Sequence, residues 1–200
     1  MIGIPSAGSM RDETAESIFN AQREGFSFPT ILKIERGPYI DHNQMKLVQD
    51  AKEQKATHLL LNETDIVFPH WAINELVEHE EMVIGATYNF KTLTPPGCIE
   101  VGVAPLVKLW DGDGKPRNIS MEEVPVTTFK CYSVPTGFIL IDMKVFDVIS
   151  HPYFVNAWGG WGGMKYTGSD VYFCEQVRKA GLDVLCDPTI TVGHLGSYQY

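Results

Sequence analysis

The sequence has little positive charge, few cysteines and no long apolar run, and each shortage removes a class of protein. Sixteen Lys and Arg stand against 25 Asp and Glu, giving a net charge of -9 over 200 residues. A protein that grips duplex nucleic acid through a basic face shows the opposite balance. An acidic chain still accepts an anionic ligand where a metal ion brings the positive charge. The four cysteines, Cys98, Cys131, Cys174 and Cys186, stand far apart with no CxxC pair. That spacing does not resemble a zinc site and fits buried free thiols in a reducing compartment. No apolar run reaches the length of a membrane span. Met1-Ile2-Gly3-Ile4-Pro5 is too short for a signal peptide and lacks a basic start. A soluble, cytoplasmic chain is expected. Also missing are a phosphate-cradling glycine loop, a dinucleotide fingerprint and a nucleophile elbow.

What is present reads as one α/β domain over 1–200. "MIGIPS" is a first strand ended by a turn, and "DETAESIFNAQREG" a helix with early acids, closed by Gly25. "FPTILKIER" is a strand. "DHNQMKLVQDAKEQKA" is a helix capped by Asp41 or Asn43, with Met45, Val48 and Lys52 on one face. "THLLLN" has the unbroken apolar run of a strand covered on both sides. "PHWAINELVEHEE" is a helix begun by Pro69, and "MVIGATY" a strand. This alternation implies a mainly parallel sheet flanked by helices. Residues 91–136 carry turn signals and short β-rich stretches, as in an antiparallel addition with Asp111-Gly112-Asp113-Gly114 at a hairpin tip. A strand and helix in "TGFILIDMKVFDVI", a loop in "NAWGGWGGMKYTG" and a helix in "SDVYFCEQVRKAG" follow; "LDVLCDP" and "TITVGH" complete the sheet.

Three constellations stand where chemistry is expected. Glu63-Thr64-Asp65 follows the leucine strand, and ligands of open α/β sheets bind outside the carboxyl ends of strands. Two carboxylates one residue apart can hold a divalent ion through hard oxygens; the same residues also suit a solvated acidic turn. Ser169-Asp170 opens a helix, where either residue also suits an N-cap. Before it, Trp158 and Trp161 stand among four glycines, a composition suited to stacking on a sugar ring and to a lid. His194 lies between Gly193 and Gly196 at a strand end, as a metal ligand or as a structural histidine. His70 and His79 read as bland members of a surface helix.

The order of these pieces resembles the glycosyltransferases of GT-A fold, a Rossmann-like architecture, and in particular the family-2-like enzymes of bacteria and phages. The resemblance spans nearly the whole chain and is most specific in "TGSDVYFCEQVRKAGLDVLCDPTITVGHLG". The Trp-Gly-Gly loop is similar to that of galactosyltransferase-like members, where it faces the acceptor. The resemblance implies a nucleotide-binding half over 1–90 and an acceptor half over 91–200. Glu63-Thr64-Asp65 stands for the family's Asp-x-Asp motif. Asp65 matches the acid that binds a manganese or magnesium ion on the donor diphosphate, Glu63 replaces the first Asp, and His194 completes the metal site. Asp170 matches the catalytic base, with Ser169 where the family usually has an acid. Pro5, Ser6, Asn43 and Thr64 fall in the nucleotide site, and Trp158, Trp161, Gly162 and Ser169 in the acceptor site. The implied reaction moves a sugar from a UDP- or GDP-sugar to a hydroxyl of a glycan, protein or other acceptor, with inversion. The chain ends soon after His194, as in a minimal enzyme or one working with a partner or an open acceptor.

Two rival functions fit parts of the pattern. Nucleotidyl transfer to a sugar phosphate uses a related sheet and metal, but its glycine-rich basic loop has no counterpart in "PSAGSMRDE". A non-catalytic sugar-nucleotide-binding protein would hold Asp170 or His194 in its core.

Overall fold

The leucine run fixes the centre of the molecule. The computed structural model describes residues 1–89, 105–159 and 165–196, with the backbone alone for 157–159 and 165–166. In chain order its first half comprises β1 (Ile2–Ser6), α1 (Asp12–Glu24), β2 (Leu32–Arg36), α2 (Ile40–Glu53), β3 (His58–Asn62), β4 (Ile66–Val67), α3 (Ala72–Glu78) and β5 (Val83–Gly85). The second half comprises β6 (Lys108–Trp110), β7 (Pro116–Asn118), β8 (Phe129–Lys130), β9 (Phe138–Asp142), α4 (Val145–Val148), β10 (Ala157–Gly159), β11 (Lys165–Thr167), α5 (Ser169–Lys179), β12 (Leu185–Cys186) and β13 (Gly193–His194).

Seven strands form the central sheet in the order β2-β1-β3-β9-β5-β12-β8. β1, β2, β3, β5 and β12 run one way; β9 and β8 run against their neighbours. The expected mixed, mainly parallel sheet with flanking helices is therefore what the chain forms. Successive residues of a strand face opposite sides, and here both sides are covered. Leu59 and Leu61 join Ile139, Ile141 and Val83 on the side packed by α2, α4 and α5. Leu60 joins Ile2, Ile4, Ile84 and Leu140 on the side packed by α1 and α3. The three described cysteines, Cys131, Cys174 and Cys186, are buried free thiols; burial pushes Cys174 up to about 12, which keeps it an inert apolar filler.

Several elements depart from the expectations. The core face of α2 is Gln44, Leu47, Val48 and Ala51; Lys52 is exposed and reaches the Phe146 carbonyl and the Tyr153 hydroxyl. Neither Asp41 nor Asn43 caps α2, which starts after Tyr39. Both side chains serve other segments: Asp41 accepts the Asn156 N–H, and Asn43 donates to the Ser6 and Gly37 carbonyls. Helix α3 starts at Ala72, because residues 69–72 first close a turn in which the Ala72 N–H reaches the Pro69 carbonyl at 3.0 Å. The "NAWGG…KYTG" stretch carries a two-stranded antiparallel ribbon, β10 with β11, where a plain loop was expected. Residues 193–194 do not finish the sheet. After β12, Asp187 makes a last sheet bond to Gly85, and its carboxylate then turns the chain by accepting the Thr189 N–H. Pro188 offers no N–H to continue the ladder. The chain crosses instead to pair β13 with β4. The β6–β7 hairpin has the expected tip, where the Asp111 carboxylate accepts the N–H groups of Asp113 and Lys115.

Leu60 fills the α1/α3 side of the sheet at its centre. Leu60→Ala is expected to cost about 2–5 kcal/mol, read as a lower denaturant midpoint with an unchanged slope.

Candidate active site

The carboxyl ends of β1, β3, β5 and β12 lie along one edge, and β9 begins there because it runs the other way. At this edge the Glu63 N–H bonds the Gly137 carbonyl at 2.9 Å, just before β9. Asn62 donates from its amide to the Glu63 carbonyl, and Arg11 donates its backbone N–H to the Thr64 carbonyl. The acidic turn at 62–65 is thus held from three sides. The β4–β13 ribbon adds a fourth hold: the Leu195 N–H meets the Asp65 carbonyl at 2.7 Å.

That ribbon brings His194 to Asp65, with Nε2 at 3.9 Å from Oδ1. His194 Nδ1 lies 2.9 Å from the Asn89 carbonyl, which only accepts, so Nδ1 carries the proton. In the neutral ring Nε2 then offers its lone pair toward the aspartate side, the arrangement that orients metal-ligating histidines. The amide oxygens of Asn62 and Asn89 are buried without a hydrogen-bond partner among the described residues.

Tyr88 ties the remaining acids to this pair. Its ring meets His194 edge-on at 4.9 Å between centroids. Burial pushes its phenol well above the usual range, with the charges of Glu63, Asp170 and Asp65 adding to the effect. Three carboxylates from two segments, the 62–65 turn and the start of α5, therefore share one electrostatic neighbourhood. The hydroxyl takes the Gly137 backbone N–H. A Cβ at Gly137 would sit 2.0 Å from the Tyr88 oxygen, so only glycine fits.

Asp170 lies in the first turn of α5, and one carboxylate oxygen accepts the Val171 N–H at 2.8 Å. Gly168 is the N-cap residue, so neither Ser169 nor Asp170 occupies that position. Burial raises the Asp170 pKa, opposed by that N–H and by the charge of Lys108 on β6. Ser169 is buried and its N–H bonds the Asn156 side chain. Ser6 is buried at the end of β1, with its hydroxyl accepting the Gly8 N–H; Pro5 precedes it in the strand. Asn43 is fully buried and braces the turns after β1 and β2. Trp158 belongs to β10 by its backbone; its side chain, and Trp161, Gly162 and Cys98 altogether, lie outside the described residues.

Sequence reasoning missed four participants. Tyr88 and Asn89 follow β5 and read as a strand end; the tyrosine–amide step at a carboxyl edge was their only signal. Gly137 fell at the start of the "TGFILIDMKVFDVI" strand and carried no signal of its own. His79, expected to be bland, places Nε2 at 2.9 Å from an oxygen of buried Asp187. Glu75 joins them, and the three ligand atoms lie within 4.8 Å of one another, the one such trio among the described residues. Glu63 therefore does not close a comparable trio with Asp65 and His194. Burial pushes Asp187 up, but the bonds from His79 and Thr189 outweigh it and hold it below the usual carboxylate range.

The mixed sheet with an acid–histidine ribbon at its carboxyl edge defines the chain as a Rossmann-like α/β protein. The crystal structure of A197 from STIV is similar in fold, with TM-score 0.64 and 15% identity, covering 98% of this chain and 84% of that one. The crystal structure of GalNAc-T7 with UDP, GalNAc and Mn2+ matches at TM-score 0.47 and 14% identity, covering 98% of this chain and 37% of the GalNAc-T7 chain. No family model matches the sequence, and no curated protein does.

Asp170 and Asp187 carry opposite pH signatures. The folded pKa of Asp170 is raised, so its ionised form strains the fold above that pKa and the strain is absent below the unfolded value near 3.9. Asp170→Asn is expected to raise Tm at pH 7, with the gain closing as pH falls toward about 4. Asp187 is depressed, so its stabilisation is present above the unfolded pKa and lost as pH falls through the folded one. Asp187→Asn should lower stability by about 1–3 kcal/mol at pH 7, with the loss shrinking in acid. Thermal melts across pH read both.

Proposed function

We propose that this chain is a metal-dependent glycosyltransferase. It moves a sugar from a UDP- or GDP-sugar to the hydroxyl of a glycan, protein or other acceptor, with inversion at the anomeric carbon. One observation carries the reading: Asp65 and His194, more than half the chain apart in sequence, meet at 3.9 Å on the sheet's carboxyl edge, with Asp170 in the same field.

The donor set fits a hard divalent ion such as Mn2+ or Mg2+. Two ligands each about 2.1 Å from one ion stand at most about 4.2 Å apart, and the Asp65–His194 separation falls inside that limit. The His194 tautomer is set by Asn89, and the orphaned amide oxygens of Asn62 and Asn89 add hard donors to the neighbourhood. When bound, such an ion supplies Lewis acidity to the charge developing on the departing diphosphate.

Each residue then has a task. Asp65 and His194 would hold the metal and, through its charge, the donor diphosphate. Glu63, outside the tight pair, contacts the donor ribose or metal-bound water, and Thr64 keeps the turn between them. Pro5 and Ser6, braced by Asn43, form the floor under the nucleotide. Asp170 takes the proton from the acceptor hydroxyl as the sugar carbon is attacked. Its raised pKa brings it nearer neutrality, which suits a general base. Lys108 moderates that rise. Ser169 and the loop with Trp158, Trp161 and Gly162 receive the acceptor.

Mn2+ with UDP or GDP should raise Tm, by an amount equivalent to about 2.7 kcal/mol at a ligand concentration one hundred times Kd. Asp65→Ala and His194→Ala should each weaken the manganese titration tenfold or more. Asp170→Asn should cut transfer by about 10²–10⁴ and leave the nucleotide–manganese shift intact. Absence of stabilisation by every nucleotide–metal pair would sink the proposal. Nucleotide binding without sugar transfer by the wild type would leave a binding protein, and turnover surviving in Asp170→Asn would remove the base.

A further inference from the structure

The two edges of the central sheet are built differently. The β8 edge is two residues long, with Lys130 tied to Asp183. A short, charged strand of this kind discourages pairing with another chain. The β2 edge is five residues long, and no described strand pairs with its outer side.

Backbone parity shows which groups face outward there. The Ile2 N–H bonds the Ile31 carbonyl at 2.8 Å, and the Gly37 N–H bonds the Ser6 carbonyl at 3.0 Å. Residues 31 and 37 thus aim at β1, and so do 33 and 35, because N–H and C=O of alternate residues point the same way. The N–H and C=O groups of Leu32, Ile34 and Arg36 therefore point away from the sheet, three donors and three acceptors at a regular spacing.

The side chains Leu32-Lys33-Ile34-Glu35-Arg36 are self-complementary when read antiparallel about Ile34. Leu32 falls opposite Arg36, and Lys33 opposite Glu35. The outward parity matches the same centre. A two-fold axis at Ile34 makes 34/34 and 32/36 the hydrogen-bonded pairs, which exchange both N–H···O bonds. The 33/35 pairs become the closer, non-hydrogen-bonded sites, where opposite charges directly across stabilise and like charges repel. A centre at Glu35 would set glutamate against glutamate, and a centre at Lys33 lysine against lysine. This edge carries one charge of each sign on the face toward α2, where Lys33 reaches Asp50 at 3.2 Å and Glu35 lies 3.9 Å from Lys46. Exposed apolar groups flank it, with Ile31 46%, Leu32 49% and Tyr39 70% exposed.

We propose that this chain forms a two-fold dimer through β2, antiparallel about Ile34, joining two seven-stranded sheets into one. The occupant of the edge is a second copy. Lys33 pairs with the partner's Glu35, and Leu32 covers the stem of the partner's Arg36. The assignment is independent of the catalytic reading.

Sedimentation equilibrium over a concentration series tests it, with circular dichroism as the check on folding. The wild type should pass from a 22.4 kDa species to one of twice that mass. Glu35→Lys sets lysine against lysine twice across the axis and should leave a monomer. Lys33→Glu combined with Glu35→Lys restores the pairing and should restore the dimer. The ion pairs to α2 that these changes disturb are half-buried on their acidic side, with Glu35 18% and Asp50 24% exposed, so each variant is compared with the wild type only where circular dichroism gives the same folded signal. Amide exchange on the unmodified protein gives a second readout. Leu32, Ile34 and Arg36 should lose protection on dilution, while Lys33 and Glu35, bonded to β1, keep theirs. A wild type that stays at 22.4 kDa at every concentration, a dimer indifferent to Glu35→Lys, or even-numbered amides unaffected by dilution would each overturn the proposal.

Discussion

A missing side chain at Gly137 lets the Tyr88 hydroxyl reach the backbone at the sheet edge, and the candidate site is arranged round that contact. The ring that this contact fixes also supports His194. Its phenol stays neutral, because burial and three nearby carboxylates all oppose its ionisation. A neutral hydroxyl suits the position: an ionised phenol would add a fourth negative charge beside Glu63, Asp65 and Asp170.

The polarity of this edge follows from the apolarity behind it. β3 is sealed on both faces by leucines, so its side chains leave no place for a polar atom until Asn62. Beyond it the backbone must turn, and turning exposes N–H and C=O groups that need partners. The edge supplies them with buried amides: Asn43 donates to the Ser6 and Gly37 carbonyls and Asn62 to the Glu63 carbonyl. Rigid apolar strands and a polar, slightly under-satisfied rim are two results of one sequence pattern. On the far side of the rim, the His79–Asp187 pair fastens α3 to the segment that leaves β12.

Much of this was readable from residues alone. The run Leu59-Leu60-Leu61 announces a doubly covered strand, and Gly25, at φ 94, ends its helix as expected. Asp65, Asp170 and His194 were singled out by their places at strand ends and helix starts. What could not be read was pairing across distance. Nothing local says that residues 193–194 join 66–67 rather than the sheet edge; Pro188 and the turn made by Asp187 decide it. Nothing local separates His79 from His70, since the difference is one carboxylate far along the chain. Asn43 read as a cap or a nucleotide contact because its role lies with Ser6 and Gly37, which only the folded sheet brings near. Tyr88 read only as the end of the "MVIGATY" strand, because its importance rests on a glycine about fifty positions later.

The β4–β13 ribbon also has a topological consequence. It spans four residues, yet it ties a turn in the first half of the chain to a segment near residue 194. Bringing such distant segments together costs loop-closure entropy, and two short strands recover little of it locally. The ribbon therefore depends on the sheet already being assembled and is the part of the site most open to local unfolding. A ligand gripping both Asp65 and His194 would act as a clasp across the whole fold. Its binding free energy would be spent on closing the chain as much as on contacts, so occupancy of the site and order of the C-terminal segment form one equilibrium.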